Sequence, residues 1–312
     1  MAVKLKDLAQ MEDRLVAGHG MCLGCGIPLI FKIVLRATED PIIVANATGC
    51  LEVCTTIFPR TAWNCMWVHS AFENAAATAA GVEAMFKSLK NKGKIPADKK
   101  IKFLATGGDG GTYDIGIQAL SGAMERGHNI VYVCYDNNAY ANTGGQRSSA
   151  TPLGASATTA PAGAKSPGKV QKRKDLTRIL AAHNIPYVAQ ASPHRWQDLY
   201  NKAKKAFEVE GPAFLNVLCL CPTEWKYEES KGIKLAQLAA DTCAWPLYEV
   251  ENGKYKISYK PKEKKPVLEW LKLQGRFRHL FQEKNAWMLE AIQKDVDKDW
   301  EDLNRLATLS GA

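Results

Sequence analysis

Short apolar runs alternate with helical patterns along most of this chain. The runs predict strands at Ile42–Asn46, Ile101–Ala105, Ile130–Tyr135, Ile185–Gln190 and Ala213–Leu220, the last as the final buried strand. The helical patterns predict helices over Leu29–Leu35, Ala71–Lys90, a stretch that carries Ile115, Leu120 and Met124, Asp175–His183 and Trp196–Glu208. Strands that alternate with helices are typical of an α/β fold, here a parallel sheet flanked by helices.

Three segments depart from this alternation. Trp63–Ser70 is aromatic and predicts irregular structure, and Arg147–Gly168 is rich in Ser, Thr, Ala, Pro and Gly, which predicts a long loop. From Lys231 onward the sequence is charged, contains tryptophan and shows a helical pattern towards its end. We therefore expect an α/β domain over residues 1–230 and a C-terminal helical extension over residues 231–312 that packs on the domain and on partner subunits.

Two predicted neighbouring strands end in polar clusters. Ile101–Ala105 runs into a glycine cluster around Asp109, and Ile130–Tyr135 runs into Asp136, Asn137 and Asn138. The carboxyl ends of parallel strands meet at one edge of a sheet, where ligands bind in open α/β folds. We expect both clusters to form one site at that edge, the alternative being two ordinary turns.

The residue types of the two clusters suit magnesium and a diphosphate. Asp109, Asn137 and the backbone carbonyl of Ala139 supply the oxygen ligands that Mg²⁺ takes. Glycines let a backbone approach a phosphate closely and present its N–H groups to it. The glycines expected to do so are Gly108, Gly110 and Gly111.

The cysteines indicate a metal centre at the same edge. Cys22 and Cys25 form a CxxC pair between glycines, while Cys50 and Cys221 each follow a predicted strand. Four thiolates at one place suit a [4Fe–4S] cluster. Two alternative hypotheses are a zinc ion and thiols that are simply buried. Cys219 lies two residues before Cys221 and is a rival for the fourth position.

Composition narrows the class of protein. Nine cysteines without secretory features argue for metal ligands and buried thiols in a cytoplasmic protein rather than for a disulfide framework. Runs of lysine and a net charge of +9 favour an acidic partner. We expect no membrane span, because no run of 18 apolar residues occurs. Nucleic acid is not expected as a partner, because no aromatic and basic recognition motif occurs.

The text that follows the second cluster resembles a known family. GDG followed by an asparagine pair is similar to the thiamine diphosphate motif, and AYANTGGQRSSATPLGA is more specific. Together they resemble the thiamine-binding β subunit of the 2-oxoacid:ferredoxin oxidoreductases, in the pyruvate branch. The resemblance extends from roughly Leu15 to Leu280.

The resemblance implies a thiamine-diphosphate-binding fold and three cofactors: thiamine diphosphate, Mg²⁺ and a [4Fe–4S] cluster. It implies Asn142 and Thr143 at the reacting end of the thiamine, as catalytic and cofactor-binding residues. It favours Cys221 over Cys219, because the family's ligand directly precedes a proline. The cluster ligands that it implies are Cys22, Cys25, Cys50 and Cys221.

The resemblance also implies an activity. It is the oxidative decarboxylation of a small 2-oxoacid, pyruvate first and oxalate second, with electrons passing through the cluster to ferredoxin. The implied partners are alpha, gamma and delta type subunits, one of which supplies the glutamate that activates the thiamine, with coenzyme A as a candidate co-substrate. Two alternatives are an electron-transfer subunit without its own thiamine site and a zinc-bearing nucleic-acid binder. The intact pair of Asp109 and Asn137 argues against the first of these.

Overall fold

The computed structural model describes residues 3–311, and within that range eight strands form one sheet. In spatial order the strands run β2-β1-β3-β4-β6-β5-β7-β8, and the first six are mutually parallel. β7 and β8 continue the sheet antiparallel. The strands are β1 (Ile42–Ala47), β2 (Met66–Ser70), β3 (Lys102–Gly108), β4 (Val131–Asp136), β5 (Tyr187–Ala191), β6 (Ala213–Leu218), β7 (Leu247–Glu251) and β8 (Lys254–Tyr259).

Helices connect the strands and cover both faces of the sheet. A π-helix at Gly110–Ile115 and short 3₁₀ segments supplement the α-helices. The α-helices in the described range are α1 (Leu5–Gln10), α2 (Gly26–Val34), α3 (Cys50–Thr55), α4 (Ala75–Asn91), α5 (Ile117–Glu125), α6 (Leu176–Ala181), α7 (Trp196–Glu208), α8 (Pro222–Trp225), α9 (Gly232–Asp241), α10 (Leu268–Leu271) and α11 (Ala286–Leu309).

The predicted α/β class is confirmed, and each of the five predicted strands is present, with two corrections. The segment Trp63–Ser70 is not wholly irregular, because its second half is the edge strand β2, whose exposed side chains carry little burial pattern. Ala213–Leu220 is not the final strand, because β7 and β8 follow it. Charged residues at alternate positions kept these two strands from being predicted. One of these residues, Glu249 of β7, is buried and accepts hydrogen bonds from Tyr187 (2.7 Å) and Lys205 (2.9 Å).

Three apolar cores hold these layers together. One lies between the sheet and α2 and α7, and a second lies on the opposite face under α4, α5 and α6. The third gathers Trp225, Trp245 and Trp270 with apolar residues of α9 and α11. Most of the third core comes from residues after 231, so those residues complete both the sheet and the packing around α8.

No helix within residues 3–311 combines the length and the apolar character needed to cross a membrane.

A chain cut after residue 230 tests the expected division of the molecule. The cut removes β7, which pairs with β5, and Trp270, whose ring lies 5.9 Å from that of Trp225. Exposed strand edges and apolar surface promote aggregation. We expect the fragment to aggregate or to lose cooperative thermal unfolding in calorimetry, whereas full-length Leu309→Ala, altered at an exposed side chain, should unfold like the parent. A soluble 1–230 fragment with a cooperative transition would establish an independent domain.

Candidate functional site

Four neighbouring strands of the sheet deliver the predicted site residues to one edge. β1, β3, β4 and β6 lie side by side, and their carboxyl ends run into Cys50, Asp109, Asn137 and Cys221 respectively. The prediction that these residues gather at one sheet edge is confirmed. The cysteines border the face covered by α2 and α7, while the Asp109 turn continues into the helices of the opposite face.

The glycine cluster after β3 forms a bare backbone turn. It passes directly into the π-helix and then into α5, and such helices are rare and are frequently found at functional sites. A Cβ on Gly110 would lie 2.4 Å from Cδ1 of Tyr140, and one on Gly111 would lie 3.1 Å from the Phe72 carbonyl oxygen. Only glycine fits at Gly110, and the turn therefore presents its backbone rather than side chains. The first N–H groups of a helix have no partner within it and suit an anion.

Asp109 is a fully buried carboxylate in that turn. Ser148 donates a hydrogen bond of 2.5 Å to its Oδ2, and the backbone N–H of Asn137 donates one of 3.1 Å to its Oδ1. Burial raises the pKa of Asp109 well above its usual range, and the nearby charge of Asp136 raises it further. The carboxylate thus lies where a cation would stabilise it strongly.

The side chain of Asn137 tests whether a metal fits here. One terminal atom of its amide lies 2.9 Å from the Ala139 carbonyl oxygen and 3.0 Å from Asp109 Oδ1. If that atom is nitrogen, it donates to both oxygens. If it is oxygen, three oxygens face one another without a donor, which is the arrangement that a bound cation needs. The three predicted magnesium ligands therefore converge, and they fit a hard cation.

Asp136, at the end of β4, is a second buried carboxylate, but it is neutralised. Arg173 donates to its Oδ2 at 2.7 Å and Tyr113 donates to the same oxygen at 2.6 Å, while the Asn138 backbone N–H donates to Oδ1 at 3.0 Å. The Arg173 guanidinium also lies 4.3 Å from the Trp245 ring centroid. Asp136 thus anchors the turn, and its charge is compensated within the protein.

Residues from the C-terminal third of the chain hydrogen-bond to the turn at Asn137 and Asn138. Asn138 has a positive φ of 64°, which asparagine tolerates better than most residues. The indole N–H of Trp225 donates to the Asn137 carbonyl at 2.7 Å, and Arg276 Nη2 donates to Asn138 Oδ1 at 3.1 Å. The carbonyl and amide groups of the turn are thus fixed by residues remote in sequence.

The four predicted cluster cysteines lie near one another. The Gly26 N–H donates to the Leu220 carbonyl at 2.9 Å, which joins the CxxC loop to the end of β6. Burial raises the pKa of Cys50 and raises that of Cys221 to about 12, with smaller contributions from the charges of the neighbouring thiols. In contrast, a hydrogen bond from Cys219 lowers the pKa of Cys25. Thiolates at this place need a metal to stabilise them, and the donor set suits an iron–sulfur cluster.

Two further cysteines lie beside these four. Cys219 is completely buried within the core under α2 and α7, whereas Cys221 is only half-buried. Cys54 lies one helical turn after Cys50. Burial raises the pKa of its thiol, and the charges of Cys22 and Cys25 raise it further.

Within residues 3–311, no three His, Cys, Asp or Glu side chains approach closely enough to hold a single metal ion. The oxygens around Asn137 include an amide and a backbone carbonyl, which are outside that group of side chains.

Asn142 and Thr143 lie on an exposed loop beside this edge. Thr143 Oγ1 donates to Gln146 Oε1 at 2.5 Å, and Gln146 Nε2 donates back to the Thr143 carbonyl at 2.8 Å. The loop packs closely on α8, because a Cβ on Gly145 would lie 1.9 Å from Glu224 Oε2. Both predicted residues therefore face outward, towards space that another molecule can fill.

Sequence reasoning missed the residues that support the site. Ser148 and Arg173 come from the long loop and the segment after it, while Trp225 and Arg276 come from the C-terminal third. The tryptophans of the C-terminal extension indicated that this segment packs on something. Nothing in the local text around Arg276 indicated its place at Asn138.

Comparison with known proteins identifies what this arrangement is similar to. Residues 47–217, more than half of the chain, match the family described as thiamine pyrophosphate enzyme, C-terminal TPP binding domain. That range includes Cys50 and the whole Asp109–Asn137 unit. The expected thiamine-diphosphate-binding fold is confirmed.

Named relatives match almost the whole chain. It is 53% identical to pyruvate synthase subunit PorB of Methanocaldococcus jannaschii, over 92% of this chain and 95% of the relative. It is 49% identical to the PorB subunit of Thermotoga maritima, over 99% and 97%. The ketoisovalerate oxidoreductase subunit VorB of Pyrococcus horikoshii is 42% identical, over 99% and 98%.

A solved structure shares the fold. It is 2-oxoglutarate:ferredoxin oxidoreductase from Magnetococcus marinus with 2-oxoglutarate, coenzyme A and succinyl-CoA bound. One of its chains superposes with a TM-score of 0.54 and 20% identity, covering 71% of this chain and 77% of that chain. At this identity the match concerns the fold alone.

Proposed function

We propose a function from the premise that this chain belongs to the 2-oxoacid:ferredoxin oxidoreductases, as a thiamine-binding β subunit of the pyruvate branch. The proposed reaction of the complete enzyme is the thiamine-dependent oxidative decarboxylation of pyruvate, with electrons delivered to ferredoxin. Relatives named as pyruvate synthase subunits, up to 53% identical, support pyruvate over the branched oxoacid of the 42% identical relative. Oxalate is included among the substrates of the experiment below.

The observation that carries this proposal is the convergence of the Asp109 carboxylate, the Asn137 side-chain amide and the Ala139 carbonyl at the glycine turn. Asp109, Asn137 and the Ala139 carbonyl would hold Mg²⁺, and the backbone of Gly108, Gly110 and Gly111 would receive the diphosphate. Thiamine diphosphate supplies the carbanion chemistry that releases CO₂ from a 2-oxoacid. The protein's own part would be to fix the diphosphate end at the glycine turn, with Asn142 and Thr143 proposed for the reacting end.

The neighbouring thiols support an electron-transfer role at the same edge. Cys22, Cys25, Cys50 and Cys221 would hold a [4Fe–4S] cluster, which accepts one electron at a time. Cys219 is less suited, because it is completely buried in the core between the sheet and α2 and α7. The residues of both sites lie at the ends of adjacent strands, so a cluster bound by these thiols would be close to a bound thiamine diphosphate.

Other subunits complete the proposed site. Asn142 and Thr143 are exposed on a loop, and we assign the activating glutamate to a partner subunit that would cover this loop. Gamma and delta type subunits and ferredoxin would take the electrons onward, and the net charge of +9 suits an acidic ferredoxin. We propose a cytoplasmic enzyme with coenzyme A as the acceptor of the acyl group.

The purified complex tests the reaction directly. Reduction of ferredoxin is measured with pyruvate, 2-oxoglutarate, 2-oxoisovalerate and oxalate, each with and without coenzyme A. We expect pyruvate to give the highest kcat/KM and to require coenzyme A. Preference for oxalate without coenzyme A would replace the proposed substrate, and a complex without bound thiamine diphosphate would leave only the electron-transfer alternative.

Asp109→Asn tests the magnesium ligand. It removes the only full negative charge among the three oxygens, so Mg²⁺-dependent affinity for thiamine diphosphate should fall by about 100-fold or more. Without cofactor, the variant should be as stable as the parent or more stable, because the substitution removes a buried carboxylate that has no cation to compensate it. Isothermal titration and thermal unfolding measure the two effects, with Asp302→Asn on the surface of α11 as the control. Affinity within about twofold of the parent would contradict the assignment.

Single cysteine substitutions test the cluster ligands. Serine at a true ligand should lower the bound iron or change the EPR signal of the reduced cluster, because an alkoxide is a poorer ligand for iron than a thiolate. The variants expected to do so are Cys22→Ser, Cys25→Ser, Cys50→Ser and Cys221→Ser.

Matched cysteines serve as controls. Cys54→Ser is the closest, since it lies one turn from Cys50 on the same helix, and Cys65→Ser is more distant. Both should keep the iron and the parent signal. If Cys219→Ser loses the cluster while Cys221→Ser keeps it, the fourth ligand is Cys219.

A further inference from the structure

Arg276 is a buried cation without an acidic partner in direct contact within the described residues. Its side chain is 3% exposed. Nε donates to Gln274 Oε1 at 2.9 Å and Nη2 donates to Asn138 Oδ1 at 3.1 Å, and both acceptors are neutral amides. A buried charge that is not paired is strongly destabilising, so its retention calls for a compensating anion.

The guanidinium is held in one place by aromatic rings. Its central carbon lies 4.3 Å from the ring centroid of Trp225 and 5.0 Å from that of Phe277. Trp225 ends α8, the helix that begins directly after Cys221, and its indole binds the Asn137 carbonyl. Arg276 therefore lies between the helix that follows one candidate cluster ligand and the turn that carries a candidate magnesium ligand.

Two of the four acidic groups that face Arg276 are candidate cofactor ligands, one from each site. Burial lowers its pKa to about 9, while the negative charges of Cys221, Asp136, Asp109 and Glu224 act in the opposite direction, in that order. Asp136 already has Arg173 as a partner. The thiol of Cys221 and the carboxylate of Asp109 are the groups that become part of anionic centres when the cofactors are bound.

We propose that Arg276 is the shared counter-charge of the two anionic cofactor centres, placed between the metal–diphosphate turn and the cluster thiolates. This inference rests on the function proposed above and assigns Arg276 an electrostatic positioning role, not a chemical step. Bound diphosphate and bound cluster each gain from the same fixed cation, so each should hold more tightly, or accept an electron more readily, because Arg276 is present.

Variants of the complete complex separate charge from packing. Arg276→Met removes the charge but keeps much of the apolar volume, and Arg276→Lys keeps the charge. Arg14→Met is the matched control: Arg14 is 8% exposed and donates to the carbonyls of Leu35, Thr38 and Glu39, before β1 begins and thus at the opposite edge of the sheet. Three quantities are measured for each: affinity for thiamine diphosphate at saturating Mg²⁺, cluster midpoint potential by EPR-monitored titration, and thermal unfolding of the cofactor-stripped complex.

We expect Arg276→Met to weaken thiamine diphosphate binding by about tenfold and to shift the midpoint potential to more negative values, while the stripped complex unfolds at the parent temperature or above it. Arg276→Lys should recover most of both losses. Arg14→Met should lower the unfolding temperature and leave affinity and potential unchanged.

Parent affinity and parent potential in Arg276→Met would overturn the inference, as would a stripped complex that is destabilised without either change. If Arg276→Lys matches Arg276→Met in both readouts, charge is not the cause and the inference also fails. A parent complex that binds no thiamine diphosphate and contains no cluster instead refutes the proposed function itself.

Discussion

The burial of two carboxylates at the ends of adjacent strands is the constraint on which the functional edge depends. Asp109 directly follows β3 and Asp136 ends β4, and neither is exposed to solvent. Charges in such places must be paired or bound to a metal. Asp136 is paired with Arg173, which comes from the segment after the long loop, whereas Asp109 forms no salt bridge within residues 3–311 and accepts from a hydroxyl and a backbone N–H. The protein thus neutralises one charge with an arginine, and the other lies where the proposed Mg²⁺ would compensate it.

Much of this arrangement could be predicted from the sequence, because its signals are local. The apolar runs predict the strands, and the GGDGG and DNN segments that follow them predict which polar groups lie at the strand ends. Parallel topology then requires that Asp109 and Asn137 lie at one edge, since they end strands of one strand–helix–strand unit. The cysteines were placed by the same rule.

The remaining features could not be predicted, because they depend on pairing between distant segments. β7 and β8 carry charges at alternate positions and become strands only because β5 offers an edge and Tyr187 and Lys205 satisfy Glu249. β2 is an exposed edge strand, so its side chains show little of the burial that reveals a strand in sequence. Arg276 lies 138 residues from the Asn138 side chain that it binds. Sequence periodicity contains no information about such contacts.

The order of strands explains why the C-terminal extension is needed at the site. Along the edge, the cysteine ends of β1 and β6 flank the oxygen-bearing ends of β3 and β4. Residues from outside the sheet can approach the ends of several of these strands at once. The turn before Phe277 does so by packing on α8, where the Gly275 N–H donates to the Lys226 carbonyl at 3.0 Å. Residues after 231 thus hold the Asn138 turn as well as the third core, and anions bound at the two proposed sites would compensate their buried cation, Arg276.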